Sequence, residues 1–284
     1  MLAALLCRRL GKISSLRIIC GMLRTMIYVG VYIGWGISIY KRVIQKSVRN
    51  VLIFIAELII FWFVVRTTKY FFTMDNQIAR YLWYSYYIPM LFIPVAVLQA
   101  AFFLGKSEEY RLPKWLKGVY IPTTVLVLLV LSNDLHQLVF SFPVGSAWSD
   151  SHYTYGWGYY VVLAWEVVCA LTAFVLMIYK CRHSQKKKYL PLLGIGAAVL
   201  YAVLFISGVV WVQEIGGDIT AVLCLFFVGI LESCVRCGLI QTNTGYDQLF
   251  EVCTLGAQIT DQNYNVCYAS ANAMPLSKKT MKDA

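Results

Sequence analysis

The stretch YKRVIQKSVRNVLIFIAELIIFWFVV, residues 40–65, joins a segment with four basic residues to an apolar run that holds a single charge, Glu57. A helix rises about 1.5 Å per residue and the hydrocarbon layer of a bilayer is about 30 Å thick, so apolar runs of about 20 residues are typical of spanning helices. The composition agrees, because 60% of the 284 residues are hydrophobic and only 14% are charged. The chain is therefore predicted to be a multi-pass protein of the plasma membrane.

The same alternation of apolar run and polar loop recurs on both sides of this stretch, along the whole chain. It predicts an all-α membrane protein, a bundle of seven transmembrane helices, with span edges uncertain by a few residues because aromatic side chains lie on either side of the interface. The predicted spans are approximately 18–39, 51–72, 81–104, 119–140, 158–179, 190–212 and 219–240.

The basic residues predict the orientation, because Lys and Arg near span ends stay on the cytoplasmic side. They collect in the loops after spans one, three and five, whereas loops 141–157 and 213–218 have no Lys or Arg and 73–80 has only Arg80. The N-terminus is thus predicted outside and the C-terminus in the cytoplasm. The net charge of +11 is explained by this asymmetry and by attraction to anionic membrane lipids, so nucleic-acid binding is a poor interpretation of it.

The first 21 residues disagree with this orientation. They contain Arg8, Arg9, Lys12 and Arg17, which would hold the N-terminus inside, and their charges follow the short apolar run instead of preceding it as in a signal peptide. Our hypothesis is that translation starts at Met22. Residues 1–21 are then a doubtful extension, 22–240 the membrane domain and 241–284 a cytoplasmic tail.

The densest polar group in the predicted spans is Asn133, Asp134 and His136, near the outer end of span four. Ionisable residues in a bilayer are functional candidates by default. Aromatic residues are frequent at the same level, among them Trp83, Tyr84, Tyr87 and Trp157. A ligand pocket with convergent polar groups and an interfacial aromatic belt with ordinary packing both explain this arrangement, and both stay open.

Metal and redox chemistry find little support. No H-E-x-x-H or comparable ligand spacing is present, and Cys234-x-x-Cys237 lacks the second ligand pair of a zinc site. The nine cysteines show no disulfide framework, because most lie in spans or on the predicted cytoplasmic side. We therefore expect no metal, no cofactor and no catalytic residue.

Other charged groups keep two further functions open. Glu232 and Arg236, at i and i+4 on span seven, are expected to form an intrahelical ion pair at the inner mouth. In a small-molecule transporter or channel, Glu57, Glu166 and Glu232 would be relay or coupling sites. A membrane-embedded, metal-dependent enzyme using the Asp/His group is a third and weaker alternative.

Six stretches carry a resemblance to a known family: YKRVIQKSVRN at 40–50, FWFVVRTTKYFF at 61–72, ARYLWYSYYIPMLFIP at 79–94, LSNDLHQLVFSFP at 131–143, YGWGYY at 155–160 and ILESCVRCGLIQTN at 230–243. In these stretches the chain resembles the histidine kinase N-terminal seven-transmembrane family, the membrane sensor region of bacterial two-component receptors.

This resemblance implies a signal-input module, with a homodimer and a small ligand or peptide as expected partners. The input would be lined by the residues that follow, and the output would lie near Glu232 and Arg236. The input residues are Trp83, Tyr84, Tyr87, Asn133, Asp134, His136 and Trp157.

The tail after Gln241 mixes β-prone runs with turn residues and resembles the linker and first strand of a PAS-like domain. About 44 residues are too few for a PAS-like core, and no phosphoacceptor motif or ATP-binding box follows. The expectation is a non-enzymatic chain that is either truncated or acts through a kinase partner in trans.

Overall fold

The computed structural model describes the chain over most of its length. The described residues are 22–23, 25–71, 76–106, 110, 112–143, 152–183, 189–210, 212, 219–240, 242, 255–260, 266–270 and 272–273. The predicted extension 1–21 lies outside them, as does most of the tail after 242.

The described part of the chain is mainly helical, as the apolar runs predict. In chain order the elements are α1 (25–42), α2 (Lys46–Phe71), α3 (Asn76–Ser85), α4 (Tyr87–Phe103), α5 (Lys114–Gly118), α6 (Tyr120–Leu131), α7 (Asn133–His136), β1 (Phe140–Ser141), β2 (Thr154–Tyr155), α8 (Trp157–His183), α9 (Tyr189–Ile206), α10 (Ile219–Arg236), β3 (Gln258–Thr260) and β4 (Val266–Ala269).

Four helical segments are long and apolar enough to cross a bilayer, and they coincide with predicted spans two to five. They are Lys46–Lys69, Gln77–Phe103, Lys114–Leu131 and Trp157–Lys180. The apolar helix Pro191–Ile206 is shorter, and α1 and α10 lie where the first and seventh spans are predicted.

Proline explains why the third and fourth spans are each divided into two helices. A proline ring clashes with the carbonyl group four residues earlier and has no N–H to donate. Helix α3 ends at Ser85, four residues before Pro89, and α5 ends at Gly118, four residues before Pro122. Each interruption is one residue long, so both spans continue beyond it.

A short hairpin closes the predicted outer end of the bundle. Gln137 has a left-handed backbone (φ 49°) that ends α7, and β1 then pairs antiparallel with β2, Phe140 opposite Tyr155. Gly156 follows directly, where a Cβ would overlap the carbonyl oxygen of Leu138. The chain can therefore turn into α8 at this point only with a residue that has no side chain.

The buried side chains form two clusters along the bundle axis, which we name inner and outer after the predicted orientation. The inner cluster joins α1, α2, α4, α8, α9 and α10. The outer cluster joins α3, α4 and α6 to the β1 strand and the first turns of α8. Phe92 of α4 packs against both clusters.

The segment after α10 returns to the inner corners of the bundle. Gly238, with a positive φ of 71°, follows the helix, and Leu239 and Ile240 are buried. The backbone N–H of Gly105 donates to the Leu239 carbonyl at 2.8 Å, and Thr242 forms a β-bridge with Val43. Further along, β3 and β4 form an antiparallel pair, in the part of the tail that is rich in β-prone residues.

Candidate functional site

Asn133 ties α7 to the outer hairpin. Its Oδ1 accepts from the backbone N–H groups of Val139 and Phe140, both at 3.0 Å. Its Nδ2 donates to the Phe140 carbonyl at 2.8 Å and to the Tyr84 hydroxyl at 3.1 Å. The side chain is fully buried, and its two donors and two acceptor positions are all used. Asn133 thus serves as a fastener between α3, α7 and β1.

Asp134 faces the third span. The Tyr84 hydroxyl donates to Oδ1 at 2.8 Å, and the Arg80 guanidinium pairs with Oδ2 at 2.8 Å. Both side chains of this ion pair are about four-fifths covered. The Asp134 carboxylate is therefore neutralised by Arg80, the single basic residue in the predicted loop 73–80.

His136 points toward the backbone of its own turn. Its Nδ1 accepts from the Leu138 N–H at 3.0 Å, so the ring proton is on Nε2. That nitrogen donates to the Leu129 carbonyl at 3.1 Å and lies 3.2 Å from Ser132 Oγ. The His136 imidazole therefore caps the end of α6, whereas the Asp134 carboxylate on the other side of the turn contacts α3.

Phe140 lies at the centre of the aromatic residues. It is fully buried, with ring centroids of Trp83 at 4.6 Å, Tyr153 at 5.4 Å and Tyr87 at 5.5 Å. Trp83 also contacts Tyr153 at 5.0 Å. The rings of Trp83, Tyr87 and Tyr153 pack around the Phe140 ring. We call these four residues the outer aromatic cluster.

The structure brings together most of the residues predicted for the input. Trp83, Tyr84 and Tyr87 join Asn133 and Asp134 in one unit, and His136 belongs to the same turn. Trp157, in contrast, is 60% exposed at the start of α8. Sequence reasoning missed three members, Arg80, Phe140 and Tyr153, although Arg80 is the single basic residue of the predicted loop 73–80.

At the inner end, Glu232 links α10 to α1. The Arg42 guanidinium binds its carboxylate through two parallel bonds, 2.9 Å to Oε1 and 2.8 Å to Oε2. Trp35 Nε1 donates to Oε2 at 3.3 Å. The predicted i, i+4 partner, Arg236, donates from Nε at 3.0 Å and remains 71% exposed. We call this group the inner clasp.

The inner clasp is built mainly by a contact that the sequence did not indicate. Arg42 and Glu232 are separated by 190 residues, and their side chains are only 23% and 19% exposed. Bidentate arginine–carboxylate bonds fix geometry as well as charge. The clasp therefore sets the position of the end of α10 relative to α1.

The remaining candidates do not form a metal site in the described part of the chain. Within it, no group of three or more His, Cys, Asp or Glu side chains could hold an ion. Cys234 and Cys237 are both buried in the core around α10. Small apolar packing explains them.

One comparison places the chain among known proteins. A family model described as the N-terminal 7TM region of histidine kinase matches residues 19–235. No curated protein and no solved structure matches the chain. Since the match covers well over half of the sequence, the chain belongs to the family of N-terminal seven-transmembrane regions of histidine kinases, whose members form the sensor part and not the catalytic part.

Proposed function

We propose that this chain is the signal-input module of a two-component sensor in the plasma membrane. In this proposal seven spans place the N-terminus outside and the tail in the cytoplasm, and residues 22–240 form the sensing domain. The family membership supports a sensor, and the basic loops support the orientation. The output is a kinase, supplied by a continuation of the chain or by a partner.

Stimulus detection is assigned to the outer aromatic cluster. Its rings give an apolar contact surface, and Trp83 and Tyr153, in contact at 5.0 Å, are both only half-buried. The Arg80–Asp134 pair adds a charged group of each sign. A small ligand or peptide with an apolar group would act by displacing Phe140 or a neighbouring ring, which moves the hairpin because Asn133 bonds its backbone.

The relay is assigned to the inner clasp, and the Arg42–Glu232 contact is the observation that carries the proposal. Glu232 lies just before the segment 239–242, in which the Leu239 carbonyl accepts from the Gly105 N–H and Thr242 forms a β-bridge with Val43. Helix shifts of about 1–2 Å are common in switching proteins. A shift of that size would lengthen both 2.8–2.9 Å bonds beyond hydrogen-bonding distance, so in this proposal the clasp is closed in one signalling state and open in the other.

A kinase chimaera tests the proposal. Residues 1–284 are joined in frame to the dimerisation and catalytic region of a histidine kinase, and autophosphorylation is measured in membranes. Arg42→Gln and Glu232→Gln should each change the basal rate in the same direction, and the double variant should resemble either single one. Lys46→Gln, an exposed basic residue nearby, is the matched control and should behave as wild type.

The proposal fails if both clasp variants phosphorylate at the wild-type rate with normal abundance. A clasp that is only structural would instead lower abundance in proportion to activity. The rate per molecule, obtained by dividing the signal by the chimaera's immunoblot intensity, separates these two outcomes.

A further inference from the structure

A groove lies between α9 and α10. On α9 it is lined by residues between Leu193 and Ala197, and on α10 by one helix face from Val222 to Arg236. Its volume is about 690 Å³, within the roughly 300–1,000 Å³ of pockets that hold small molecules. We call it the α9–α10 groove, and two residues of the inner clasp lie at one end of it.

Two glycines give the groove its shape. Gly194 lets α9 approach α10 closely, because a Cβ at this position would lie 2.9 Å from Cγ1 of Ile230. Gly229 has open space beside it, since a Cβ there would meet no atom within 4 Å. Ile230 and Ser233 are buried, whereas Leu193 and Gly229 are exposed. The groove is therefore a concave surface with a buried floor and an exposed rim.

The lining is apolar along most of the groove and charged at its inner end. On α10 the lining residues from Val222 to Ile230 are all apolar. Among the described lining residues the only hydroxyl, on Ser233, donates to the Ile230 carbonyl at 2.6 Å. Glu232 and Arg236 give the inner end its charges. The groove therefore suits an occupant with a long apolar part and a polar end.

The dimensions match a single acyl chain. Helix α10 rises about 21 Å from Val222 to Arg236, and about 15 Å of this lies between Phe226 and Arg236. One leaflet contributes about half of the 30 Å hydrocarbon layer, so a chain that starts at Arg236 ends within the groove. Spread over its length, the volume gives a channel about 6–7 Å wide, which is too narrow for a helix of about 10–12 Å.

The inner end of the groove carries a surplus positive charge. Arg42 alone bonds both oxygens of the Glu232 carboxylate, at 2.9 and 2.8 Å. Arg236 adds a bond to Oε1 through its Nε at 3.0 Å, while its two terminal nitrogens bond none of the described residues. Its side chain is 71% exposed. Arginine N–H groups in this condition bind phosphate oxygens, often two at a time.

We propose that the α9–α10 groove binds one acyl chain of an anionic phospholipid of the inner leaflet, with the lipid phosphate on the terminal nitrogens of Arg236. Two arginines and one glutamate at this end leave one positive charge, which an anionic headgroup neutralises. A zwitterionic headgroup brings an ammonium group close to Arg236, and this repulsion favours the anionic lipid. The Nε bond to Glu232 is kept, so the lipid and the inner clasp share Arg236.

Photolabelling of the full chain tests this proposal without a kinase, so its outcome is independent of the function proposed above. The chain is reconstituted in phosphatidylcholine vesicles with a small fraction of phosphatidylglycerol that carries a diazirine in the middle of one acyl chain. After irradiation, mass spectrometry measures the label on the peptide that contains α10. A phosphatidylcholine probe with the same chain reports lipid that merely surrounds the protein. The phosphatidylglycerol probe should label α10 about fivefold more, the effect of one arginine on an anionic lipid.

Two variants separate the headgroup from the acyl chain. Arg236→Gln should bring the two probes to equal labelling, whereas Lys117→Gln, an exposed basic residue of α5, should keep the fivefold preference. Gly229→Leu fills the groove and should lower the α10 label from both probes. Its matched control is Gly196→Leu, an exposed glycine with open space on α9 that does not line the groove, and it should label as wild type.

Equal labelling of wild-type α10 by the two probes would overturn the proposal, and this result does not depend on any variant folding. An excess of inorganic phosphate should leave the label unchanged, because free phosphate has no acyl chain. Loss of the label in phosphate would identify a simple anion site and contradict the lipid. Wild-type labelling of Gly229→Leu would contradict the groove as the place where the chain lies.

Discussion

Replacing Asn133 with alanine should strongly destabilise the outer end of the bundle. The substitution removes four hydrogen bonds at once, two accepted from the N–H groups of Val139 and Phe140 and two donated to the Phe140 carbonyl and the Tyr84 hydroxyl. Alanine can replace none of them, and the site is fully buried.

The magnitude follows from these contacts. A typical intramolecular hydrogen bond contributes about 0.5–1.5 kcal/mol net, so four of them give about 2–6 kcal/mol. Water entering from the membrane surface satisfies part of the exposed hairpin backbone after the change, and we expect a loss of about 3 kcal/mol. This is a large share of the roughly 5–15 kcal/mol that stabilises a native domain.

The measurement is equilibrium unfolding of the full chain in mixed micelles with increasing SDS. Leu135→Ala, an exposed position of the same short helix, is the matched control and should change the free energy of unfolding by less than about 0.5 kcal/mol. A loss below about 1 kcal/mol for Asn133→Ala, or an equal loss for the control, would refute the fastening role.

Three further predictions use the same unfolding assay. Tyr84→Phe removes the hydroxyl that bonds Asn133 and Asp134, and it should cost about 1–2 kcal/mol and couple to Asn133→Ala in a double-mutant cycle. Arg42→Gln and Glu232→Gln should show a coupling of about 1–3 kcal/mol, since the bonds are charge-assisted and partly buried; additive effects would contradict the clasp. Gly156→Ala should cost about 1–3 kcal/mol through overlap with the backbone, and wild-type stability there would contradict the turn geometry.

Hydropathy was enough to predict the mainly helical membrane architecture, because lipid requires each spanning segment to satisfy its own backbone. The predicted fourth span, 119–140, extends past its helices, because α6 ends at Leu131, α7 ends at His136 and Gln137 has a left-handed backbone. Span three shows what the prolines do not reveal. Pro89 disrupts the helix about four residues before it, at Tyr86, but the span continues beyond this break.

The roles of the polar residues were harder to predict, because their partners are distant in the sequence. In the sequence, Asn133 is a candidate ligand-binding residue. Only the folded chain shows that its amide group is used by the backbone of Phe140. Glu232 reads as half of a local pair, since Arg236 is four residues away, whereas Arg42 is its main partner. Nothing local distinguishes Arg42 from the other basic residues of its loop, so only the helix packing reveals it.

The two sites are on opposite ends of the bundle, and their described contacts have no residue in common. The outer cluster, which contains the outer aromatic cluster, is built on α3, α4, α6, α8 and the hairpin, while the inner clasp joins α1 to α10. Phe92 connects the two cores: it stacks on Tyr120 of α6 at 6.1 Å and meets Phe54 of α2 edge-on at 6.4 Å. It lies on α4 between Pro89 and Pro94, and Pro94 leaves that helix without one of its backbone bonds. In the function proposed above, Phe92 is the contact through which a rearrangement of the hairpin would reach α2 and, through it, the α1 side of the clasp.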